Sequence, residues 1–310
     1  MFSQNPFPES REKNYLRKLH FIYLNKYKQF IGRDLVYFGL PSAEMLDVVL
    51  WKSVLSRIIA IERDSEIALV MYRKSQQVGI RNRTVIIEGN LSEVMGLMAL
   101  ENNYAELHLN KLSIPERNNI NFAKEKPFDV VNLDLCGGFL YPKQTGSSEN
   151  SDLLKYLIDF QSRRRHPFLL LLTFSLRDTG WEQYDNFIGE SLKALENQNI
   201  KTDQMKVYYN PETTVPDQPQ NLRRLRFCLP IYLHKLAFDY YQVRIVGSWY
   251  YKTFYHAALF FEPRVGISTL GTPWPPIDEI KDLLGSKLFR IDDNGDESVT
   301  SVELSAPDIE

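Results

Sequence analysis

Two cysteines, Cys136 and Cys228, are all that 310 residues contain, and they lie far apart. A disulfide framework and a cysteine metal site are both excluded, and a reducing compartment is expected. The five histidines (20, 108, 166, 234 and 256) show no ligand spacing, so no structural metal is expected. Residues 291–298 (IDDNGDES) resemble a calcium loop only at first sight. Taking Gly295 as the sixth position puts Arg290 first and Ser301 twelfth, where carboxylates are needed. Long apolar runs are missing too. The strongest, PFLLLLT at 167–173, is far shorter than a bilayer requires. The start, MFSQNPFPES, lacks a charged-then-apolar leader pattern, and the expectation is a cytoplasmic protein with no membrane partner.

What is present is enough apolar material for a sizeable core: 44% hydrophobic and 13% aromatic residues. The net charge of -2 hides an uneven distribution. Residues 278–310 hold ten acidic and three basic side chains, which predicts a solvated, partly disordered acidic tail. Residues 9–30 mix Arg11, Lys13, Arg17, Lys18, Lys26 and Lys28 with aromatic and aliphatic residues at rough helical spacing. They read as one or two basic amphipathic helices, either a packing element with a solvated lysine face or a nucleic-acid- or substrate-facing patch.

From residue 34 strands and helices alternate. DLVYFGL (34–40) predicts a strand, and 42–53 a helix with Ser42 as N-cap. Strands follow at 57–61 (RIIAI), 84–88 (TVIIE), 128–134 (FDVVNLD) and 168–174, with helices near 65–78, 91 onward, 151–165 and 181–197. Alternation of this kind predicts βαβ units and a parallel sheet, and nearly unbroken apolar strands predict cover on both faces. After a proline-rich loop at 208–220 and a long helix at 221–240, two strands at 241–250 and 256–262 are separated by only a few residues. So short a link allows only an antiparallel pair.

Ligands of such sheets bind beyond the carboxyl ends of the strands. Those ends carry Gly39 and Ser42, then Glu62, then Gly89 and Asn90, then Asp134 to Gly138. Glu62 lies 23 residues beyond Gly39, near the distance at which a carboxylate accepts hydrogen bonds from a ribose diol. In layout and motif position, residues 34–262 resemble the class I S-adenosylmethionine-dependent methyltransferases. The resemblance implies a Rossmann-like three-layer sandwich whose mostly parallel seven-stranded sheet ends in an antiparallel hairpin. It also implies S-adenosylmethionine as cofactor, with Gly39 and Ser42 near its methionine part, Glu62 on the ribose and Asn90 near the adenine amino group. FDVVNLDLCGG (128–138) is loosely similar to the corresponding segment of tRNA guanine N2-dimethyltransferases, without its proline. That similarity implies Asp134 as the residue orienting an acceptor amine, with Gly137, Phe139 and Tyr141 beside the acceptor.

Each of these residues has a plainer reading. Glu62 fits a solvated strand end, Asn90 a turn, and Asp134 a structural carboxylate capping nearby amides. Cys136 fits a small buried hydrophobe better than a nucleophile. Arg223 and Arg224 open a helix where the dipole disfavours cations, which marks them as phosphate-contact candidates. The expected layout is a basic helical extension (1–33), a methyltransferase-like domain (34–266) and an acidic tail (267–310). The expected activity is methyl transfer to an RNA or DNA amine. A single glycine where the family carries G-x-G-x-G keeps a second reading open, an inactive fold serving as a binding subunit for a protein partner. A nicotinamide-dependent oxidoreductase is disfavoured by the missing G-x-G-x-x-G and by the terminal antiparallel pair.

Overall fold

The computed structural model describes residues 10–99, 122, 125–135, 150–177, 181–197, 199–210, 212–264, 282–293 and 299–304. The chain divides into two compact units, Met1–Leu133 with Asp292–Thr300, and Asp134–Ile291 with Ser301–Glu310.

The first unit opens with α1 (Arg11–Ile31). One helix forms rather than two because both ends are capped and nothing inside breaks it. The Ser10 hydroxyl accepts from Lys13 N at 3.2 Å, and Gly32 closes the helix at φ 70°. Glu12, Leu16, His20, Leu24 and Tyr27 form its buried stripe. The strands β1 (Leu35–Gly39), β2 (Leu55–Glu62), β3 (Thr84–Glu88) and β4 (Val130–Leu135) follow, with α2 (Leu46–Trp51), α3 (Ser65–Gln77) and α4 (Leu91–Ala99) between the first three strands and after them. All the pairings are parallel, and the order is β3-β2-β1-β4. The chain therefore builds outward from β1 through β2 to β3, then returns to place β4 on the other side of β1. Buried Asp129, one residue before β4, fixes that return. Its carboxylate takes both arms of the Arg33 fork, at 2.7 and 2.9 Å, and the Val36 amide at 2.7 Å.

The second unit contains α5 (Asn150–Ser162), β5 (Phe168–Ser175), α6 (Glu182–Glu196), α7 (Asp203–Tyr209), α8 (Gln220–Ala237), β6 (Tyr241–Tyr251), β7 (Phe254–Pro263), and the greater part of β8 (Leu288–Asp293) and of β9 (Val299–Leu304). β7 pairs antiparallel with β6, as the short 251–254 link dictates, and also antiparallel with β5. α8 continues through Pro230 and is buried along nearly its whole length. Gly247 sits at a register shift in β6, where a Cβ would meet the Trp249 ring at 2.4 Å.

The α/β class and a mostly parallel sheet with an antiparallel pair agree with the sequence. The strand number does not: nine strands form among the described residues, not seven. The extra two, β8 and β9, arise in the segment read as a solvated acidic tail. Leu283, Leu284, Leu288 and Ile291 supply apolar side chains that are at most 3% exposed, and β8 adds to β6 in parallel. Acidic composition outweighed this local apolar pattern in the sequence reading. α7 (Asp203–Tyr209) lies mostly before the loop expected at 208–220 and takes in only its first two residues.

Candidate functional site

In the first unit, β1 and β4 meet where the strand order reverses, the place at which open α/β sheets bind ligands. Gly39 is the Cα partner of Asn132 there. A Cβ at Gly39 would lie 2.2 Å from the Asn132 carbonyl oxygen and 2.8 Å from the Tyr37 hydroxyl. The glycine is required by close approach, not by a positive φ. Left-handed backbone occurs instead at Ser42 (φ 60°) and Met45 (φ 49°). Leu40 N still bonds the Asn132 carbonyl at 3.1 Å, so the chain stays tied to β4 before it turns. The expected helix start at Ser42 is therefore corrected. Ser42 is an exposed turn residue whose carbonyl accepts from Met45 N at 3.1 Å, and α2 begins at Leu46 without a side-chain cap.

Below this turn lies a polar chain that the sequence reading missed. Asp47, in the first turn of α2, accepts from Asn132 Nδ2 at 2.8 Å through one oxygen and from Arg17 Nε of α1 through the other. Arg17 also donates to Asn14 Oδ1 at 2.6 Å, and its carbonyl accepts from the Trp51 indole at 2.9 Å. The fully buried Tyr37 phenol touches the Asn132 amide without completing a hydrogen bond. Burial first, then the Asp47 carboxylate, hold its pKa well above the ordinary value. One signal was available for Asn132. A polar residue in the middle of an apolar strand needs a partner.

Glu62 ends β2 half-buried, with Oε1 accepting from Asp64 N at 3.0 Å. Oε2 takes no hydrogen bond among the described residues. Its Cα partner on β3 is Glu88, whose Oε1 accepts from the Ser65 hydroxyl and whose buried Oε2 has no hydrogen-bond partner. Two carboxylates thus stand side by side at the strand ends, and Glu88 was read only as strand. Asn90 is exposed and caps α4. Its Oδ1 accepts from the Ser92 amide at 3.0 Å and the Ser92 hydroxyl at 2.8 Å, while its carbonyl accepts from Val94 N. With that oxygen occupied, only its NH₂ is available, which suits a ring nitrogen of adenine rather than the amino group.

Asp134 is exposed on β4, so its carboxylate carries no burial cost. Cys136, Gly137, Phe139 and Tyr141 lie outside the described residues. In the second unit Arg223 and Arg224 are 3% and 9% exposed. Arg223 donates to the carbonyls of Tyr208 and, at 2.5 Å, Thr213. Arg224 grips Asp185 at 2.7 and 2.5 Å and Asn221 at 2.9 Å. Both forks are turned inward. They fasten α8 to its surroundings, which explains their tolerance near a helix start. Burial pushes the Cys228 thiol well above its ordinary pKa, which leaves it unreactive. No group of metal-ligating side chains and no helix long and apolar enough to cross a membrane occurs among the described residues.

The chain is similar to several solved structures at low identity. A Trm1 from Pyrococcus horikoshii with S-adenosyl-L-methionine shares 9% identity, with 99% of this chain and 68% of that one covered and a TM-score of 0.44. An O-methyltransferase from Bacillus cereus in complex with SAH shares 9%, covering 82% and 93%, at 0.38. A putative rRNA methylase from Clostridium thermocellum shares 10%, covering 77% and 96%, at 0.34. No curated protein matches the chain. The family model described as PP_RS20740-like matches residues 11–210, from the start of α1 to just beyond α7. With more than half of its length inside that match, the chain belongs to the PP_RS20740-like family.

Proposed function

We propose that this protein is an S-adenosylmethionine-dependent methyltransferase acting on an amine of RNA or DNA. The observation that carries the reading is the reversal of strand order between β1 and β4, with Gly39, Glu62 and Asn90 at the ends of the first three strands. The residues fit a ribose: Glu62 Oε2 accepts no hydrogen bond among the described residues and the buried Glu88 Oε2 is orphaned, so both are acceptors that a diol can satisfy. S-adenosylmethionine supplies the electrophilic methyl group. Glu62 holds the ribose hydroxyls, and Asn90 offers its NH₂ to a ring nitrogen of adenine. The exposed Asp134 carboxylate accepts a hydrogen bond from the acceptor amine and aims the nitrogen lone pair at the methyl carbon. Most of the acceleration then comes from holding two reactants in line. Gly137, Phe139 and Tyr141 are proposed to line the acceptor base.

Titration calorimetry tests the cofactor. Wild-type protein binds S-adenosylmethionine or S-adenosylhomocysteine, and Glu62→Ala loses about 10- to 100-fold in affinity, as for one charged hydrogen-bonding group. No heat at millimolar ligand from folded wild-type protein sinks the reading. Transfer of radiolabelled methyl into total RNA, DNA and protein then identifies the acceptor. Asp134→Ala abolishes transfer while cofactor affinity stays, and unchanged transfer removes that role.

A binding subunit without catalysis is the second reading, favoured by two features of the same site. The Asn90 oxygen is already spent on its own helix, and Pro41 takes an amide donor out of the loop after β1. Radiolabelled methyl transfer by the protein alone decides against it.

A further inference from the structure

The buried stripe of α1 faces its own unit, and the opposite side of the helix carries Arg11, Lys18, Ile22, Lys26 and Gln29, all exposed. Phe30, at the end of the helix, is 72% exposed and Ile22 51%. The helix has six basic residues and one acidic one, Glu12, which is buried. Among these cations, Arg17 pairs with Asp47 and Lys28 with Asp34. Lys18 and Lys26 form no hydrogen bond or ion pair among the described residues. Eight residues of helix set them about 12 Å apart along one side, with Ile22 midway. Around Lys18 and Lys26 the outer face is thus cationic, and Phe30 adds a large exposed ring at the end of the helix.

We propose that this outer face of α1 docks single-stranded nucleic acid, a reading that rests on the acceptor class proposed above. The phosphate backbone neutralises Lys18 and Lys26, and Phe30 offers a ring on which a base stacks. A membrane surface fits less well, because an interfacial helix needs a broad apolar face to insert and α1 has buried its own in the protein. The location suits the role. Arg17 ties α1 through Asp47 to Asn132, beside Gly39 at the strand ends where the cofactor is proposed. A strand lying along α1 approaches those ends at Arg17 and Lys18, and runs from there toward Phe30 beside the start of β1, where Lys28 pairs with Asp34.

The test is fluorescence anisotropy of a labelled oligouridine and a labelled oligothymidine across a salt series, with unlabelled polyglutamate as competitor. The protein is the full chain as wild type, the Lys18→Gln/Lys26→Gln double variant, and Phe30→Ala. All substituted positions are exposed, and an unchanged Tm with unchanged S-adenosylmethionine affinity shows the folds to be intact. The double variant binds about tenfold more weakly near physiological salt, and the slope of log K against log salt shrinks by about 1.4, the release of two single-strand counterions. Phe30→Ala costs at least about fivefold by loss of stacking. Equal affinity and slope in the double variant overturn the surface while leaving the methyltransferase reading intact. Polyglutamate displacing the oligonucleotide at equal charge, with Phe30→Ala silent, overturns it in favour of an acidic protein. Wild-type protein that binds cofactor but neither oligonucleotide overturns the acceptor class together with this proposal.

Discussion

Gly39 has no room for a side chain where β1 meets β4. The sequence marks the glycine without giving its reason; the structure supplies it, a backbone oxygen of β4 where a methyl group would stand. That reason was invisible in the chain because it depends on which strand becomes the neighbour. Asn132, by contrast, was legible in principle as a polar residue that must find a partner. Gly39→Ala places Cβ 2.2 Å from the Asn132 carbonyl, an atom held by β4 and unable to swing aside as a side chain would. The expected cost is about 1–3 kcal/mol or more, since β1 and β4 must separate locally. Urea unfolding of the purified variant measures it. A midpoint equal to the wild type shows that the strands yield freely and that the glycine has some other reason. Cofactor affinity in the same variant falls as well if the strand ends form the site.

Among elements, α1 shows how much a periodic pattern can reveal. Its helical spacing and basic excess were plain in the sequence, and both caps follow from ordinary residue preferences. Its attachment through Arg17 to Asp47 was not, because an arginine among five other cations looks like one more surface charge. His20 lies in the buried stripe, with its ring 6.1 Å from that of Trp51 and 6.4 Å from that of Tyr23. Burial pushes its pKa down to about 3 from the ordinary 6.5. The folded imidazole thus stays neutral where the unfolded chain is protonated. Between about pH 6.5 and pH 3 unfolding takes up a proton, so stability is full above pH 6.5 and declines as pH falls through that window. Integrated from pH 7 to pH 5, the loss is about 2 kcal/mol. Urea titrations at the two pH values, on wild type and on His20→Phe, isolate it. The difference between pH values is smaller by about that amount in the variant; equal differences in both proteins show that His20 does not govern the acid limb.

At the scale of the molecule, βαβ alternation was the most legible feature, since apolar runs bounded by turn residues locate strands whatever their partners. Net charge misled. Ten acids in the last 33 residues predicted solvent, yet four apolar side chains among them are enough to draw the segment onto β6. The attachment is specific. Leu288–Arg290 pair with Ser248–Tyr250, the Ser248 hydroxyl donates to the Lys287 carbonyl at 3.0 Å, and Arg226 reaches the Ser286 carbonyl at 2.7 Å. Arg290 adds an ion pair with Asp217 at 2.7 Å. Removal of residues 282–310 strips these contacts, uncovers the edge of β6 and leaves buried Arg226 short of an acceptor. Each lost Leu or Ile represents about 1.5–3 kcal/mol of burial, and four of them together rival the whole stability of an ordinary domain. The truncated chain is therefore expected to lose its cooperative unfolding transition and to aggregate through the exposed edge. A milder variant keeps the idea testable if the truncated protein cannot be purified. Leu288→Ala, at a site with no exposure, costs about 2–5 kcal/mol and lowers the urea midpoint accordingly. A solvated tail predicts the opposite on both counts: a truncated protein with an unchanged Tm, and a leucine that can be shortened without effect.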